Sequence, residues 1–332
     1  MRVLCAPDKL RGTLSAKAAA RALADGLVSA GAQVACLPLS DGGEGFLEAL
    51  GGANRASDVR NAYGAPVVAP WRLAAGRAVI ESALVIGYVP GVDLDPALAE
   101  SATSFGVGEL VAEALLDGAG HVSVGLGGSV TTDGGAGALE ALDGFVPFRP
   151  DCEIVVATDV SAGFFDAARV FAPQKGADAV TVARLERRLA VRADVLRERF
   201  AADVSTVAGA GAAGGLAGGL WAAGARLTPG FEFVAGHVDL PSRVAAVDLV
   251  VTAEGRLDRT SFAGKVVGGV LVEAARAGVR AVVVAGQADP EAVRASPVPV
   301  IDLCERFGEK RSMGATADCL RATAALILAA GA

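Results

Sequence analysis

The stretch Val122–Leu139, with the sequence VSVGLGGSVTTDGGAGAL, decides the fold of this chain. Its first four residues predict the end of a buried strand, and a helix is predicted to run on to about Leu142. Between strand and helix lie the glycines Gly127 and Gly128 and the hydroxyl residues Ser129 and Thr131. A strand, a glycine turn and a helix together present bare backbone N–H groups to an anion. The stretch therefore predicts an α/β fold with a phosphate-binding turn.

Asp133 is unusual in such a turn, because a carboxylate repels phosphate. Two interpretations stay open. Either a divalent cation lies between the carboxylate and the phosphate, or Asp133 caps the helix in a tight turn with no ligand at all. The segment is not a Walker loop, since no Gly-Lys-Ser/Thr ends it.

Composition limits the possible functions. The 332 residues suffice for two domains, and 52% are apolar while only 5% are aromatic, so the core must consist of small aliphatic side chains packed on a parallel sheet. A net charge of −7 argues against nucleic-acid binding. No apolar run is long enough for a membrane span, and the first residues predict a strand rather than a signal peptide. The five scattered cysteines indicate neither a zinc site nor a disulfide framework, so we expect a cytoplasmic protein.

Two acidic loops follow predicted strands near the start of the chain. The first strand, 2–6, leads into a loop with Asp8, Lys9 and Arg11, and Ser15 then predicts the N-cap of a helix. The second strand, 33–37, leads into Asp41-Gly42-Gly43-Glu44. Open α/β sheets bind ligands at the carboxyl ends of their strands, so the first loop is a candidate for a metal–phosphate group and the second for binding a cation or orienting a hydroxyl. The alternatives are a solvated charged loop in the first case and a helix cap in the second.

The middle of the chain changes character. Alternation over 67–71 and 77–81 predicts antiparallel strands, which suggests a boundary into a second domain. Further along, Gln174 and Lys175 stand between a proline and a glycine, which predicts that their side chains are presented to a ligand rather than packed in the core. Gly209, Gly211 and Gly214 fit G-x-G-x-x-G, but the segment before them is a poor strand, so close helix packing is the better interpretation than a dinucleotide site.

A late strand, predicted over 247–252, precedes a charged cluster. The cluster consists of Glu254, Arg256, Asp258 and Lys265. Four such groups directly beyond a strand end favour a ligand-binding role over a purely structural one.

Seven segments in order resemble the type-1 glycerate kinase family. They are APDKLRGTLSA (6–16), LSDGGEG (39–45), GLGGSVTTDGGAGALEAL (125–142), ATDV (157–160), FAPQKGA (171–177), GAGAAGGL (209–216) and VTAEGRLDRTSFAGK (251–265). The resemblance implies a Rossmann-like parallel-sheet domain built from both chain ends, residues 1–65 and 230–332, and an inserted α/β domain of mixed sheet, residues 66–229. It also implies an active site in the cleft between them.

The implied reaction is phosphoryl transfer from ATP, with Mg²⁺, to a hydroxyl of D-glycerate, most simply giving 2-phosphoglycerate. On this resemblance we assign catalysis to Asp159, Lys175, Asp8 and Arg11, with Asp159 as the base. The nucleotide is assigned to Gly127, Gly128, Ser129, Thr131, Glu254, Arg256, Asp258 and Lys265. The substrate is assigned to Asp41, Gly42, Gly43, Glu44 and Gln174. The candidates for Mg²⁺ are Asp133, Asp41 and Asp8. We expect a monomer or homodimer that binds no nucleic acid and no membrane.

The sequence departs from the family in several places. Lys9 stands where the family usually has Ser, and Arg11 where it usually has Lys. The segments 143–151 and 159–171 are shorter than the corresponding segments of the family. The alternatives are therefore a kinase for a related small hydroxy acid, an NAD(P)-dependent oxidoreductase resting on Gly209–Gly214, or an impaired family member that acts as a binding protein.

Overall fold

The computed structural model describes residues 1–331, which divide into two compact units. Unit 1 comprises Met1–Asp41, Glu48–Leu50 and Phe231 onward, and unit 2 comprises Gly42–Leu47 and Gly51–Gly230. Each unit has its own sheet and its own apolar core. The exact boundaries at 65/66 and 229/230 stay a prediction.

Eleven strands are found within residues 1–331. They are β1 (Arg2–Cys5), β2 (Gln33–Cys36), β3 (Arg55–Arg60), β4 (Pro66–Ala74), β5 (Arg77–Glu81), β6 (His121–Gly125), β7 (Glu153–Ala157), β8 (Arg226–Thr228), β9 (Leu249–Leu257), β10 (Arg280–Ala288) and β11 (Val300–Asp302).

The α-helices of the described chain fall between and around these strands. The first nine are α1 (Ala16–Ser29), α2 (Phe46–Ala49), α3 (Ala83–Ile86), α4 (Pro96–Ser101), α5 (Phe105–Leu116), α6 (Ala136–Ala141), α7 (Asp166–Phe171), α8 (Ala179–Phe200) and α9 (Leu216–Ala222). The others are α10 (Gly230–His237), α11 (Leu240–Ala245), α12 (Val266–Ala277), α13 (Pro290–Ala295), α14 (Leu303–Phe307), α15 (Glu309–Gly314), α16 (Thr316–Ala322) and α17 (Ala324–Ala330). None is long and apolar enough to cross a membrane.

Unit 1 is a parallel five-stranded sheet in the order β11-β10-β9-β1-β2. The central strands β1, β9 and β10 are apolar along most of their length, as expected for strands covered on both faces. Helix α1 begins after Ser15, whose hydroxyl accepts a hydrogen bond from the backbone N–H of Ala18. The predicted parallel sheet from both chain ends is therefore confirmed.

Unit 2 contains a six-stranded mixed sheet in the order β3-β4-β5-β6-β7-β8. Strands β3, β4 and β5 are antiparallel, and β5 to β8 run parallel, with Val122 and Val124 of β6 fully buried at the centre. The antiparallel pair predicted from the alternation over 67–71 and 77–81 is present as β4 and β5. The inserted mixed sheet is confirmed.

Two local predictions were wrong. Strand β9 does not end at Thr252 but continues to Leu257, because β10 pairs with it as far as Ala288. Glu254 and Arg256 therefore lie within the strand rather than beyond it. The last helix, predicted over 316–329, is divided into α16 and α17 at Thr323, whose hydroxyl donates to the Leu320 carbonyl.

Candidate active site

The glycine turn that follows β6 lies in unit 2, with its backbone closely packed. Gly128 has a positive φ of +62°, which glycine adopts readily. A Cβ on Gly127 would come within 2.6 Å of the Gly43 Cα, and a Cβ on Gly125 would meet the Phe46 ring at 2.5 Å. The turn after β6 and the segment that carries Gly43 thus lie against each other, with no room for side chains between them.

The hydroxyl groups beyond the turn are divided between the surface and the interior. Ser129 is half-buried, and its Oγ is the acceptor for the Lys175 ammonium. Thr131 is fully buried, and its hydroxyl donates to the Ala213 carbonyl at 3.3 Å. A contact between the Thr131 hydroxyl and a phosphate would require that bond to break, so of these two hydroxyls Ser129 is the better placed.

Lys175 is buried, with a side chain only 4% exposed, although the sequence predicted a presented group. Its Nζ donates to the Thr131 carbonyl at 2.6 Å and to Ser129 Oγ at 3.4 Å. Within residues 1–331 no carboxylate forms an ion pair with it. Burial lowers the pKa of Lys175 from 10.5 to about 8, and the nearby Asp133 carboxylate opposes that shift. The result is a buried positive charge beside a glycine turn, with no carboxylate of the described chain in direct ion-pair contact.

Asp133 makes the contacts of a helix-terminal carboxylate. Its oxygens accept hydrogen bonds from the backbone N–H groups of Ser104, Gly135 and Gly137 and from the Ser104 hydroxyl, at 2.8 to 3.1 Å. Gly135, with φ +75°, is the N-cap of α6. These bonds agree with the capping interpretation, and the role of Asp133 as a metal ligand stays a prediction.

The segment Gly42–Leu47 carries three of the predicted substrate residues in unit 2. Gly42 and Gly43 are buried, and the Glu44 side chain is exposed. Gly42 has φ +96°, and a Cβ there would come within 2.9 Å of the Ala157 carbonyl oxygen. Backbone N–H groups of this segment donate to Glu81, the last residue of β5.

Asp159 and Gln174 are both exposed. Asp159 lies two residues beyond the end of β7, as the sequence predicted, and Gln174 lies in the short 3₁₀ turn Pro173–Lys175. Their side chains are accessible to a ligand, but their assigned roles stay predictions.

In unit 1 the loop after β1 collects charged groups. The Lys9 ammonium lies 4.0 Å from the carboxylates of both Asp8 and Asp41. The backbone N–H of Asp8 donates to the Ala253 carbonyl of β9, which fixes the loop beside that strand. Arg11 is exposed, and within the described chain it forms no ion pair. The Lys9 ammonium therefore lies near two carboxylates at this end of β1.

The late cluster also lies in unit 1, and its four members differ in what they contact. Glu254 Oε1 is buried and has no hydrogen-bond partner within residues 1–331. The pKa of Glu254 is raised to about 7, mainly by burial, and the Asp8 carboxylate contributes to the same shift. Arg256 is exposed and pairs with Asp289 at 3.1 Å.

The remaining two members organise the turn 259–262. The Asp258 carboxylate accepts hydrogen bonds from the Thr260 hydroxyl and the N–H groups of Thr260 and Ser261, and the Thr260 hydroxyl is the main cause of its lowered pKa. Lys265 is the N-cap of α12, and its Nζ donates to Thr260 Oγ1 at 3.2 Å.

The described residues contain no group of three or more His, Cys, Asp or Glu side chains arranged to hold a metal ion. The G-x-G-x-x-G glycines do not follow a strand. Gly214 instead lies against the Thr131 backbone, and Gly219 against Gly135. Close packing is thus the structural role of this glycine-rich segment, which leaves the oxidoreductase alternative without a nucleotide fingerprint.

A parallel sheet from both chain ends and an inserted mixed sheet define an α/β protein, and its inserted unit has a buried lysine beside a glycine turn. Comparison with known proteins makes this class specific. The sequence model of the glycerate kinase family matches residues 3–146 and 143–330. The chain belongs to the glycerate kinase family, a family of phosphotransferases, and membership of a kinase family implies the use of ATP.

Individual relatives agree with this assignment. Glycerate 2-kinase of Escherichia coli (strain K12) is 36% identical over 311 residues, which cover 81% of this chain and 81% of that protein. Glycerate kinase of Bacillus subtilis (strain 168) is 34% identical over 327 residues, covering 86% and 85%. A solved structure of glycerate kinase 2 from Salmonella typhimurium LT2 has a TM-score of 0.78 and 31% identity, and the match covers 99% of this chain and 98% of that one.

Proposed function

We propose that this protein transfers a phosphoryl group from ATP to a hydroxyl of D-glycerate and produces 2-phosphoglycerate. The observation that carries the proposal is Lys175, a buried ammonium without a carboxylate partner, beside the turn Gly127–Ser129. A small anion with a carboxylate or phosphate group would supply the missing negative charge. This arrangement suits a substrate that is an acid before the reaction and a phosphoester after it.

Phosphoryl transfer requires positioning and charge neutralisation more than covalent chemistry from the protein. Lys175 and the N–H groups of the glycine turn would neutralise anionic oxygens. Asp159, exposed just past β7, would orient the acceptor hydroxyl and take its proton. An Asp159→Asn variant should keep its fold and its substrate affinity but lose turnover. Full turnover in that variant would remove Asp159 from the role of base.

The groups of unit 1 suit the nucleotide and its metal. The carboxylates of Asp8 and Asp41 both lie 4.0 Å from the Lys9 ammonium, and Mg²⁺ typically takes one or two carboxylates together with phosphate oxygens. When bound, Mg²⁺ would withdraw charge from the transferring phosphate. Glu254 Oε1, buried and without a partner in the described chain, would accept a hydrogen bond from a nucleotide hydroxyl. The location of the site in an interdomain cleft, the cytoplasmic location and the oligomeric state stay predictions.

The test is a coupled ADP-release assay with MgATP and D-glycerate, with the product identified by NMR. We expect turnover on the order of 1–100 per second and a phosphate on the 2-hydroxyl. Omission of Mg²⁺ with EDTA present should abolish turnover. ATP binding without turnover would contradict the proposal, and a panel of small hydroxy acids would then test the related-kinase alternative.

A binding protein that has lost catalysis is the second candidate, favoured by the short segments 143–151 and 159–171. It would bind D-glycerate or ATP, measured by calorimetry, and release no ADP with any acid of the panel.

A further inference from the structure

We infer that Glu81 is a positioning residue, which holds the segment Gly42–Leu47 in the conformation that receives the acceptor substrate. The inference rests on the proposed function. Glu81 is the last residue of β5, and its side chain is 4% exposed. Its Oε1 accepts a hydrogen bond from the Gly45 N–H at 3.1 Å, and its Oε2 accepts one from the Leu47 N–H at 3.0 Å.

These two bonds use backbone groups that the segment itself cannot satisfy. The Phe46 N–H at the start of helix α2 donates to the Gly43 carbonyl, but the first N–H groups of a helix have no acceptor within the helix, and those of Gly45 and Leu47 donate to Glu81 instead. Glu81 reaches them from a different element and ties the start of the helix to the end of β5. The carboxylate also places a negative charge at the helix N-terminus, where it is favourable.

The other half of the segment is fixed by close packing. Gly42, with φ +96°, lies against the Ala157 carbonyl, and Gly43 lies against Gly127 of the glycine turn. Glu44 thus stands between two fixed points, the packed glycines before it and the Glu81 bonds after it, with its own side chain exposed. Glu81 does not have to touch the substrate to act, because it sets the position of Glu44, the exposed residue assigned to the substrate.

An ionised carboxylate is required because both partners are donors. Glutamine in the same rotamer would offer one acceptor oxygen and would turn its NH₂ group toward the second N–H. Glu81→Gln should therefore release one end of the segment and leave the volume of the side chain unchanged. The matched control is Glu48→Gln, which removes a carboxylate from α2 itself, where Glu48 forms an ion pair with Lys17 at 3.9 Å.

The test combines steady-state kinetics with residue-resolved amide hydrogen exchange on the full chain. In Glu81→Gln we expect the KM for D-glycerate to rise on the order of tenfold to a hundredfold, the range for a lost charged hydrogen bond. The KM for ATP should stay constant, and exchange at Gly45 and Leu47 should accelerate while the strands of unit 2 keep their protection. Glu48→Gln should match the wild type in every measurement.

Each contrary result has a defined meaning. Unchanged exchange at Gly45 and Leu47, or faster exchange with an unchanged KM for D-glycerate, would overturn the inference. A lower kcat alone, with faster exchange throughout unit 2, would show a merely structural role and would overturn it as well. If Glu81→Gln does not fold, Glu81→Asp keeps the charge at shorter reach, and the same two measurements on it decide. Failure of the wild type to phosphorylate D-glycerate would instead count against the proposed function, since the exchange experiment needs no turnover.

Discussion

Replacement of Lys175 by methionine should separate the stability of unit 2 from its function. The fold lowers the pKa of Lys175 from 10.5 to about 8, mainly through burial. At about 1.4 kcal/mol per pKa unit, retaining the charge costs the folded state about 3 kcal/mol at neutral pH. Methionine keeps the length and apolar stem of the side chain and removes that cost, but leaves the Thr131 carbonyl unsatisfied at about 1–3 kcal/mol.

The two effects nearly cancel, so the free energy of unfolding of Lys175→Met should lie within about 2 kcal/mol of the wild type. Turnover should fall about a thousandfold, since the charge that would neutralise the phosphoryl group is lost. Both tryptophans of the chain, Trp71 and Trp221, belong to unit 2, so their fluorescence in urea reports the unfolding of this unit. A loss of more than about 4 kcal/mol with activity retained would refute the reasoning, because Lys175 would then be a structural residue.

The pH dependence supplies an internal check. The folded chain releases the Lys175 proton near pH 8, while the unfolded chain holds it until about 10.5. Between these values the unfolded state binds more protons, so unit 2 should become more stable as the pH rises, and Lys175→Met should lack this increase. Affinity for an anionic substrate should fall through the same window, as the ammonium loses its charge.

The remaining predictions concern three other groups. The pKa of Glu254 is raised to about 7, so its contribution to stability should be full below pH 4.5 and lost as the pH rises through 7; Glu254→Gln should flatten this decline in circular dichroism melts. Gly42→Ala should lower the free energy of unfolding by about 1–3 kcal/mol, because Gly42 has φ +96° and a Cβ there would lie 2.9 Å from the Ala157 oxygen. The control Gly64→Ala should lower it less, because Gly64 has φ +80° but open space around it. Asp133→Asn should destabilise unit 2 by about 2–4 kcal/mol, equally in Mg²⁺ and in EDTA. A difference between the two conditions would instead support Asp133 as a metal ligand.

The sequence predicted the fold class because its signals are local and repeated. Alternation over β4 and β5, continuous apolar runs in β1 and β9 and the N-cap Ser15 each report their own element. The end of β9 was missed because Glu254 and Arg256 resemble a loop, whereas β10 provides hydrogen-bond partners as far as Leu257. Pairing with a distant strand leaves no local signature.

The candidate site was predictable only in part, for the same reason. The glycine turn and the acidic loops have recognisable compositions, and the structure has them at strand ends as expected. The burial of Lys175 was not predictable, since it depends on the Thr131 carbonyl, far away in the sequence. The partners of Glu81 were not predictable because they are backbone N–H groups, which every residue but proline has, so no pattern of side chains indicates them.

Two of the proposed site residues have strongly shifted pKa values, and these shifts bear on whether the protein is a working enzyme. Lys175 in unit 2 and Glu254 in unit 1 are each held where burial disfavours the charged form. Methionine or glutamine would relieve that cost, so stability alone does not explain either residue. Under the proposed function, ligands of two kinds would explain them: an anion at the lysine, and a hydroxyl or cation at the carboxylate. A phosphoryl-transfer site needs positive groups for the phosphoryl oxygens and acidic groups for metal and hydroxyls. A binding site for glycerate alone would explain the lysine but not the carboxylate, so the pair favours a protein that also binds a nucleotide over one that binds glycerate alone.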